Sequence, residues 1–164
     1  MGELRWRPPL NNEEIAYISK GETIDGTKPG PICVQGNPAW RKQARESTKT
    51  VLMSEDCLLL DVSVPLNPSE KLLPVMVQIH GGGYVTGDSG FYPGEALITH
   101  SKNSLIYVSI QYRLGPYGFL SSQAVKGDGS ANVALLDQRA ALTWVRDLEI
   151  KNHQALKSSP STSK

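Results

Sequence analysis

Hydrophobic residues form three short runs in the middle of the chain and one periodic stretch near its end. The three runs have strand length and are rich in β-branched residues, so we predict strands at 57–65, 73–80 and 104–112. The middle run is continuously apolar, which favours a central strand that is buried on both faces. Between the second and third runs, residues 93–101 predict a short helix.

From Ala131 onward, hydrophobic residues recur at steps of three and four, which is typical of a helix with one buried face. The only polar member of that face is Gln138. Its apolar members are Ala134, Leu135, Ala141, Leu142, Val145 and Leu148. The order strand, strand, helix, strand, loop, helix predicts an open α/β sheet with crossover connections.

The remaining segments have little hydrophobic pattern. Residues 1–50 are rich in Pro, Gly, Asn and charge, so we predict a loop-dominated segment, and a turn-rich loop at 114–122. Near Asp147 the hydrophobic periodicity weakens, and Ser, Lys and Pro become the common residues. Such a composition cannot bury enough surface to order itself, so we expect a divergent tail at 147–164 that is disordered at its end.

Composition and charge exclude several functional classes. The formal net charge of +1 gives no electrostatic attraction to nucleic acid. We also find neither a transmembrane segment nor the apolar core of a signal peptide. Cys33 and Cys57 are either two buried thiols or one disulfide, and without a C-x-x-C motif or a His/Cys cluster they predict no metal site.

The most informative motif is the sequence HGGG at 80–83, directly after the middle strand. A dinucleotide-binding G-x-G-x-x-G motif fails because Thr86 occupies its third glycine position. A phosphate-binding Walker A loop fails because Asp88 stands where the lysine is required. A plain turn remains one reading, but we favour a loop that directs backbone N–H groups at an oxyanion. In this interpretation His80 supports the loop and is not a catalytic base.

Five segments occur in an order and spacing that resemble a known family. They are LRWRPP (4–9), SEDCLLLDVSVP (54–65), PVMVQIHGGGYVTG (74–87), VSIQYRLGPYGFLSS (108–122) and NVALLDQRAALTWV (132–145). Over about residues 2–146 the chain resembles the type B carboxylesterases, which include the cholinesterases. Leu59 and Gln111 depart mildly from the family pattern. The resemblance implies a partial α/β-hydrolase fold: the N-terminal portion of the central sheet with its flanking helices.

The resemblance also implies roles for two glycines and two cysteines. Gly82 and Gly83 would supply two N–H groups of the oxyanion hole. Cys33 and Cys57 would form the first disulfide of the family. A disulfide implies an oxidising environment, so we expect a secreted, extracellular protein.

Two ion pairs are implied in the same way. Arg5 would pair with Glu55, and Arg113 with Asp137, as structural contacts. Taken singly, each of these charges is more ordinary as a solvated surface residue, and only the resemblance pairs them. The three tryptophans are interpreted as packing residues; they are Trp6, Trp40 and Trp144.

The catalytic serine of the family lies in a G-x-S-x-G turn, and no serine of this sequence has glycine at both −2 and +2. The acid and the histidine follow the serine in the chain, so residues 1–146 are expected to be a partial domain, truncated before the nucleophile, with none of the triad. We therefore do not interpret His80, His100 or His153 as a catalytic base. We expect the N-terminal part of a serine carboxylesterase for small carboxylic esters, inactive as it stands and without a cofactor. The alternative is a non-catalytic cholinesterase-like binding or adhesion module.

Overall fold

The structure, a computed structural model, describes residues 2–10, 26, 28–36 and 52–158, with side chains as far as Asp147. The strands in this part of the chain are β1 (Ile32–Cys33), β2 (Met53–Ser54), β3 (Leu60–Ser63), β4 (Val75–Ile79) and β5 (Ile106–Ile110). The α-helices are α1 (Glu95–His100), α2 (Gly115–Phe119), α3 (Gln123–Asp128) and α4 (Val133–Ser158). Short 3₁₀ turns lie at Gly2–Leu4 and Ser89–Phe91. The three predicted strands and both predicted helices are therefore present.

The strands form two sheets. In the larger sheet, β5 lies between β3 and β4, antiparallel to β3 and parallel to β4. Val108 of β5 pairs with Val62 of β3 on one side and with Val77 of β4 on the other. The smaller sheet joins β1 and β2 in parallel, with Ile32 opposite Met53. Because β4 and β5 are parallel neighbours, residues 80–105 form a crossover connection between them.

The core lies between one face of β5 and helix α4. Val108 and Ile110 are buried there and pack with Val145, while Ala141 and Trp144 complete the helix side. The packing of Trp144 agrees with its predicted role. Alternate residues of a strand point to opposite faces, so the intervening residues of β5 face the crossover connection instead.

Two burial predictions are wrong in the described residues. The strand predicted to be central, β4, has a neighbour on one side only, and its Met76 and Ile79 are 44% and 40% exposed. The buried strand is β5 instead. On α4, Leu135 and Leu142 are 54% and 45% exposed, because the helix presents Ala134, one position earlier and about 100° around its axis, to the core.

The loop predicted at 114–122 is also wrong in part, since α2 occupies Gly115–Phe119. Pro116 is compatible with the first turn of a helix, whose N–H groups have no partner within the helix. Gly118 is needed for close packing, because a Cβ there would overlap the carbonyl group of Arg113. The glycines and the proline of this segment therefore begin and pack a helix.

Helix α4 continues through the predicted domain boundary. Its backbone is helical to Ser158, so the secondary structure does not change at 147, where the divergent tail was expected to begin. Residues 159–164 lie outside the described part of the chain, and the disorder of the tail stays a prediction. No described helix has an apolar stretch long enough to cross a membrane.

Candidate functional site

The glycine run begins directly after β4, at the edge of the sheet where the parallel strands β4 and β5 both end. In open α/β sheets, ligands bind outside the carboxyl ends of the strands. His80 is 3% exposed, and its ring stacks on Tyr112 with 4.4 Å between centroids. The Tyr112 hydroxyl donates to the His80 carbonyl at 2.7 Å, and burial raises the pKa of this tyrosine. His80 thus packs beneath the loop.

Glycine is required at specific positions of this loop. Gly82, Gly83 and Gly87 have φ angles of 134°, 61° and 134°, a region that L-residues rarely adopt. A Cβ at Gly82 would overlap the carbonyl oxygen of Thr86, and one at Gly87 would overlap the His80 ring. The loop therefore folds back on itself more tightly than any side chain at these positions permits.

The carbonyl groups of the glycine run are held inside the loop. The Gly82 carbonyl accepts hydrogen bonds from the N–H groups of Val85 at 3.3 Å and Thr86 at 3.2 Å. The Gly81 carbonyl lies 3.0 Å from Nδ1 of His80, and since a carbonyl can only accept, we assign the proton to that nitrogen. The direction of both carbonyl groups is thereby fixed.

Fixing these carbonyl groups also fixes two N–H groups. The peptide bonds are trans, and in a trans peptide the C=O and the following N–H point in opposite directions. The N–H groups of Gly82 and Gly83 therefore point away from the turn that holds the carbonyl groups of Gly81 and Gly82. Neither N–H group donates a hydrogen bond to another residue within the described part of the chain. The loop thus presents two oriented backbone donors.

Tyr84 supports the loop through contacts with α2. Its φ of 66° is left-handed, which is unusual for a bulky residue. The conformation is supported by the N–H of Gly115, which donates to the Tyr84 carbonyl at 2.7 Å. The Tyr84 ring, 65% exposed, lies 4.9 Å from that of Phe119. Sequence reasoning did not identify Tyr84, although its place directly after three glycines could have pointed to it.

Gln35 also supports the loop, through hydrogen bonds of its side chain. Sequence reasoning did not identify this residue either. Its Oε1 accepts hydrogen bonds from the Thr86 hydroxyl at 2.5 Å and from the Gly87 N–H at 2.8 Å. Its Nε2 donates to the Gly87 carbonyl at 2.9 Å. A single amide side chain therefore contacts the loop at three polar atoms.

The segment that carries Gln35 is covalently anchored. Cys33 and Cys57 form a disulfide, and each is 1% exposed, so the pairing implied by the resemblance is present. The bond links β1 to the segment that precedes β3. Gln35 lies two residues beyond this anchor, close to the loop in space but about 50 residues away in sequence.

Arg113 and Asp137 form a buried ion pair, with side chains 5% and 1% exposed. Arg113 Nε donates to one carboxylate oxygen at 2.8 Å and Nη2 to the other at 2.6 Å. The same guanidinium group donates to the carbonyl groups of Leu4 at 3.3 Å and Arg7 at 2.9 Å. Arg113 therefore links the N-terminal segment to α4 by hydrogen bonds to both.

Arg5 and Glu55 form the second implied pair, which is partly exposed. Arg5 Nε donates to Glu55 at 2.9 Å, and the Nη2 group donates to the second carboxylate oxygen. The Arg5 hydrogen bond lowers the pKa of Glu55, and the Glu55 hydrogen bond raises the pKa of Arg5. The Arg5 guanidinium also lies 5.4 Å from the Tyr117 ring centroid and 5.8 Å from that of Trp6, which suits cation–π contact.

The other predicted residues lie away from the loop or outside the description. The Trp6 indole N–H donates to the Pro116 carbonyl at 2.9 Å, consistent with a packing role. His100 is exposed at the end of α1. Trp40 lies outside the described residues, as does the side chain of His153.

An open groove of about 330 Å³ borders the loop and carries the carboxylates of Asp61, Asp88 and Glu95. These three side chains are not arranged as a metal site. Among the described residues, no group of three His, Cys, Asp or Glu side chains could hold a metal ion. The chemistry that the described loop offers is therefore that of backbone hydrogen-bond donors.

Comparison with solved structures identifies the fold class. The structure matches that of Aspergillus niger EstA with a TM-score of 0.69 and 35% sequence identity, covering 88% of this chain and 26% of that chain. The fold is that of the α/β-hydrolases, of which this chain contains a part.

Sequence comparison identifies the family. The model of the carboxylesterase family matches residues 1–152, and the chain belongs to that family. The chain is 48% identical to Lipase 2 of Geotrichum candidum over 103 residues, which are 60% of this chain and 18% of that protein. It is 33% identical to a secreted lipase of Arthroderma benhamiae over 143 residues, which are 77% of this chain and 27% of that protein. The chain thus spans 18% and 27% of the length of these two curated relatives.

Proposed function

We propose that this chain contributes the oxyanion-hole loop of a carboxylic ester hydrolase, with Gly82 and Gly83 as the hydrogen-bond donors. Ester hydrolysis passes through a tetrahedral intermediate whose former carbonyl oxygen is negatively charged. Donors that are oriented before the reaction stabilise that charge without a reorganisation cost. The observation that carries the proposal is the pair of restrained carbonyl groups, at Gly81 and Gly82, which sets the direction of the two N–H groups.

The nucleophile must come from outside these 164 residues. The sequence contains no G-x-S-x-G motif, and the chain covers only 26% of Aspergillus niger EstA, so the serine, acid and histidine can lie in the part that it does not cover. We propose that the substrate is a small-molecule carboxylic ester, as expected for the family. The 164-residue chain by itself is expected to be inactive.

The test compares the chain with a chimera. The chain alone, incubated with p-nitrophenyl acetate, is expected to show neither a burst nor turnover above background. In the chimera, this chain replaces the matched 26% of Aspergillus niger EstA, so that the remaining protein supplies the nucleophile. The chimera is expected to hydrolyse the ester. Turnover by the chain alone that an organophosphate blocks would overturn the claim that the nucleophile is absent.

Substitution of Gly82 in the chimera tests the loop itself. Gly82→Ala introduces a methyl group that overlaps the Thr86 carbonyl, and kcat is expected to fall by about 10²–10³-fold with little change in KM. The matched control is Gly127→Ala, because Gly127 lies on α3 with open space around its Cβ position. A folded chimera that is inactive even with Gly82 present would favour the non-catalytic binding module instead.

We further propose that the protein is secreted. The support is the buried disulfide between Cys33 and Cys57, together with the secreted lipase among the relatives. Peptide mapping without reduction, on protein purified from its native source, would test this proposal. Cys33 and Cys57 are expected in one disulfide-linked pair of peptides, and recovery of both as free thiols would contradict it.

A further inference from the structure

Gln35 connects the disulfide-bonded segment to the glycine loop, and we propose that it is a positioning residue for the N–H donor of Gly83. The inference rests on the proposed function of the loop. Gln35 does not contact Gly82 or Gly83 by any hydrogen bond in the described residues. Its effect must therefore pass through Thr86 and Gly87, which it contacts directly.

Gln35 acts first on the residues whose N–H groups bind the Gly82 carbonyl. Gln35 accepts from the Thr86 hydroxyl, and the neighbouring Gly36 N–H donates to the Val85 carbonyl at 3.1 Å. Val85 and Thr86 are the two residues whose N–H groups bind the Gly82 carbonyl. Residues 35 and 36 therefore hold both donors of the Gly82 carbonyl in place.

The second step follows from the planarity of the peptide group. The Gly82 carbonyl and the Gly83 N–H belong to one rigid trans peptide, so a rotation of the carbonyl turns the N–H by the same angle. If Val85 and Thr86 shift, the Gly82 carbonyl loses its partners and this peptide is free to rotate. Gln35 thus determines the direction of the Gly83 donor through two layers of hydrogen bonds.

Glutamine suits this position because its amide group both accepts and donates. Thr86 is 2% exposed, so its hydroxyl needs a partner inside the protein. Oε1 accepts from Thr86 and Gly87 together, while Nε2 donates to the Gly87 carbonyl and, at 3.4 Å, to the Cys33 carbonyl. A carboxylate could only accept, and a thioether of similar length could do neither well.

The test measures amide hydrogen exchange in the full 164-residue chain, with three variants. Gln35→Met removes both functions of the amide, and Gln35→Glu retains the acceptor alone. Gln123→Met is the matched control, since Gln123 is exposed at the start of α3. In Gln35→Met, exchange at Val85, Thr86 and Gly87 is expected to become about tenfold faster, which corresponds to one lost hydrogen bond. Gln35→Glu is expected to be intermediate, and the control unchanged.

The amide groups of β5 separate positioning from general stability. If Gln35 positions the loop, exchange along Ile106–Ile110 keeps its wild-type rate in both Gln35 variants. Equal acceleration in the loop and in β5 would show that Gln35 supports only the fold, and would overturn the proposal. An unchanged loop in Gln35→Met would overturn it as well.

Kinetics of the EstA chimera distinguish this inference from the proposed function. Gln35→Met is expected to lower kcat and to leave KM nearly unchanged, because the oriented donors act on the transition state. Faster loop exchange with an unchanged kcat would contradict the oxyanion function of the loop, while Gln35 would still be the residue that positions it.

Discussion

The junction at Arg113 and the loop at Gly82 both hold main-chain carbonyl groups, but they do so with different chemistry. Arg113 holds the carbonyl groups of Leu4 and Arg7 with a buried charge that Asp137 neutralises. The loop holds the Gly82 carbonyl with neutral backbone donors. A buried charge is costly to leave unpaired, whereas a neutral hydrogen bond contributes about 1 kcal/mol. Removal of one charged partner at the junction is therefore expected to destabilise the fold more than the loss of one hydrogen bond in the loop.

The largest expected effect is at the junction. Asp137→Ala leaves the Arg113 charge buried without its partner, and the free energy of unfolding is expected to fall by about 3–5 kcal/mol. Denaturant titration followed by circular dichroism measures the loss. The control is Asp128→Ala, which breaks the exposed pair between Arg7 and Asp128 on the same N-terminal segment and is expected to cost less than about 1 kcal/mol. Similar losses in both variants would contradict the contrast between buried and exposed charge.

The second-largest loss of stability is expected when the disulfide is removed. The double variant Cys33→Ser/Cys57→Ser releases a link across a sequence separation of 24 and is expected to lose about 3 kcal/mol of stability. Since Gln35 lies two residues from Cys33, loop amide groups are expected to exchange faster in this variant as well. If exchange at Val85 and Thr86 keeps its wild-type rate, the disulfide does not contribute to the loop.

A smaller effect is expected at Thr86, inside the loop. Thr86→Val keeps the shape of the side chain but removes the hydroxyl that donates to Gln35, and the expected loss is about 1 kcal/mol. The comparison is Thr99→Val on α1, whose hydroxyl donates to the exposed Glu95 carbonyl and is expected to matter less. Thermal unfolding of both variants side by side measures the difference, and a larger loss at Thr99 would count against a buried network around Thr86.

The smallest effect depends on pH and concerns Arg5 and Glu55. The Arg5 hydrogen bond lowers the pKa of Glu55 in the folded chain below its ordinary value of 4.5. The pair therefore stabilises the fold above that value, and this contribution is lost as the pH falls through the folded pKa. Glu55→Gln is expected to reduce the dependence of stability on pH between about 5 and 3. If stability falls at low pH in Glu55→Gln as much as in the wild type, solvent screens the pair completely.

Much of the fold could be predicted because its signals are local. The β-branched run that ends in Ile110 predicts a strand, and the glycines after His80 favour a loop that presents backbone N–H groups over a plain turn. Burial depends on neighbours, so the pattern could not show that Leu135 is exposed beside Ala134. The role of Gln35 also had no local signal, since its partners Thr86 and Gly87 are about 50 residues away.

The position of the glycine loop within the crossover connection has a kinetic consequence. The loop lies in residues 80–105, between two strands that pair in parallel, and this pairing forms only after the whole connection has closed. Non-local closure of this kind is slow, whereas a helix such as α4 forms from neighbours in the sequence. In pulse-labelling during refolding, the amide groups of Val85 and Thr86 are therefore expected to become protected together with those of β5, and later than those of α4. The donors are therefore oriented in the same step in which β4 and β5 pair.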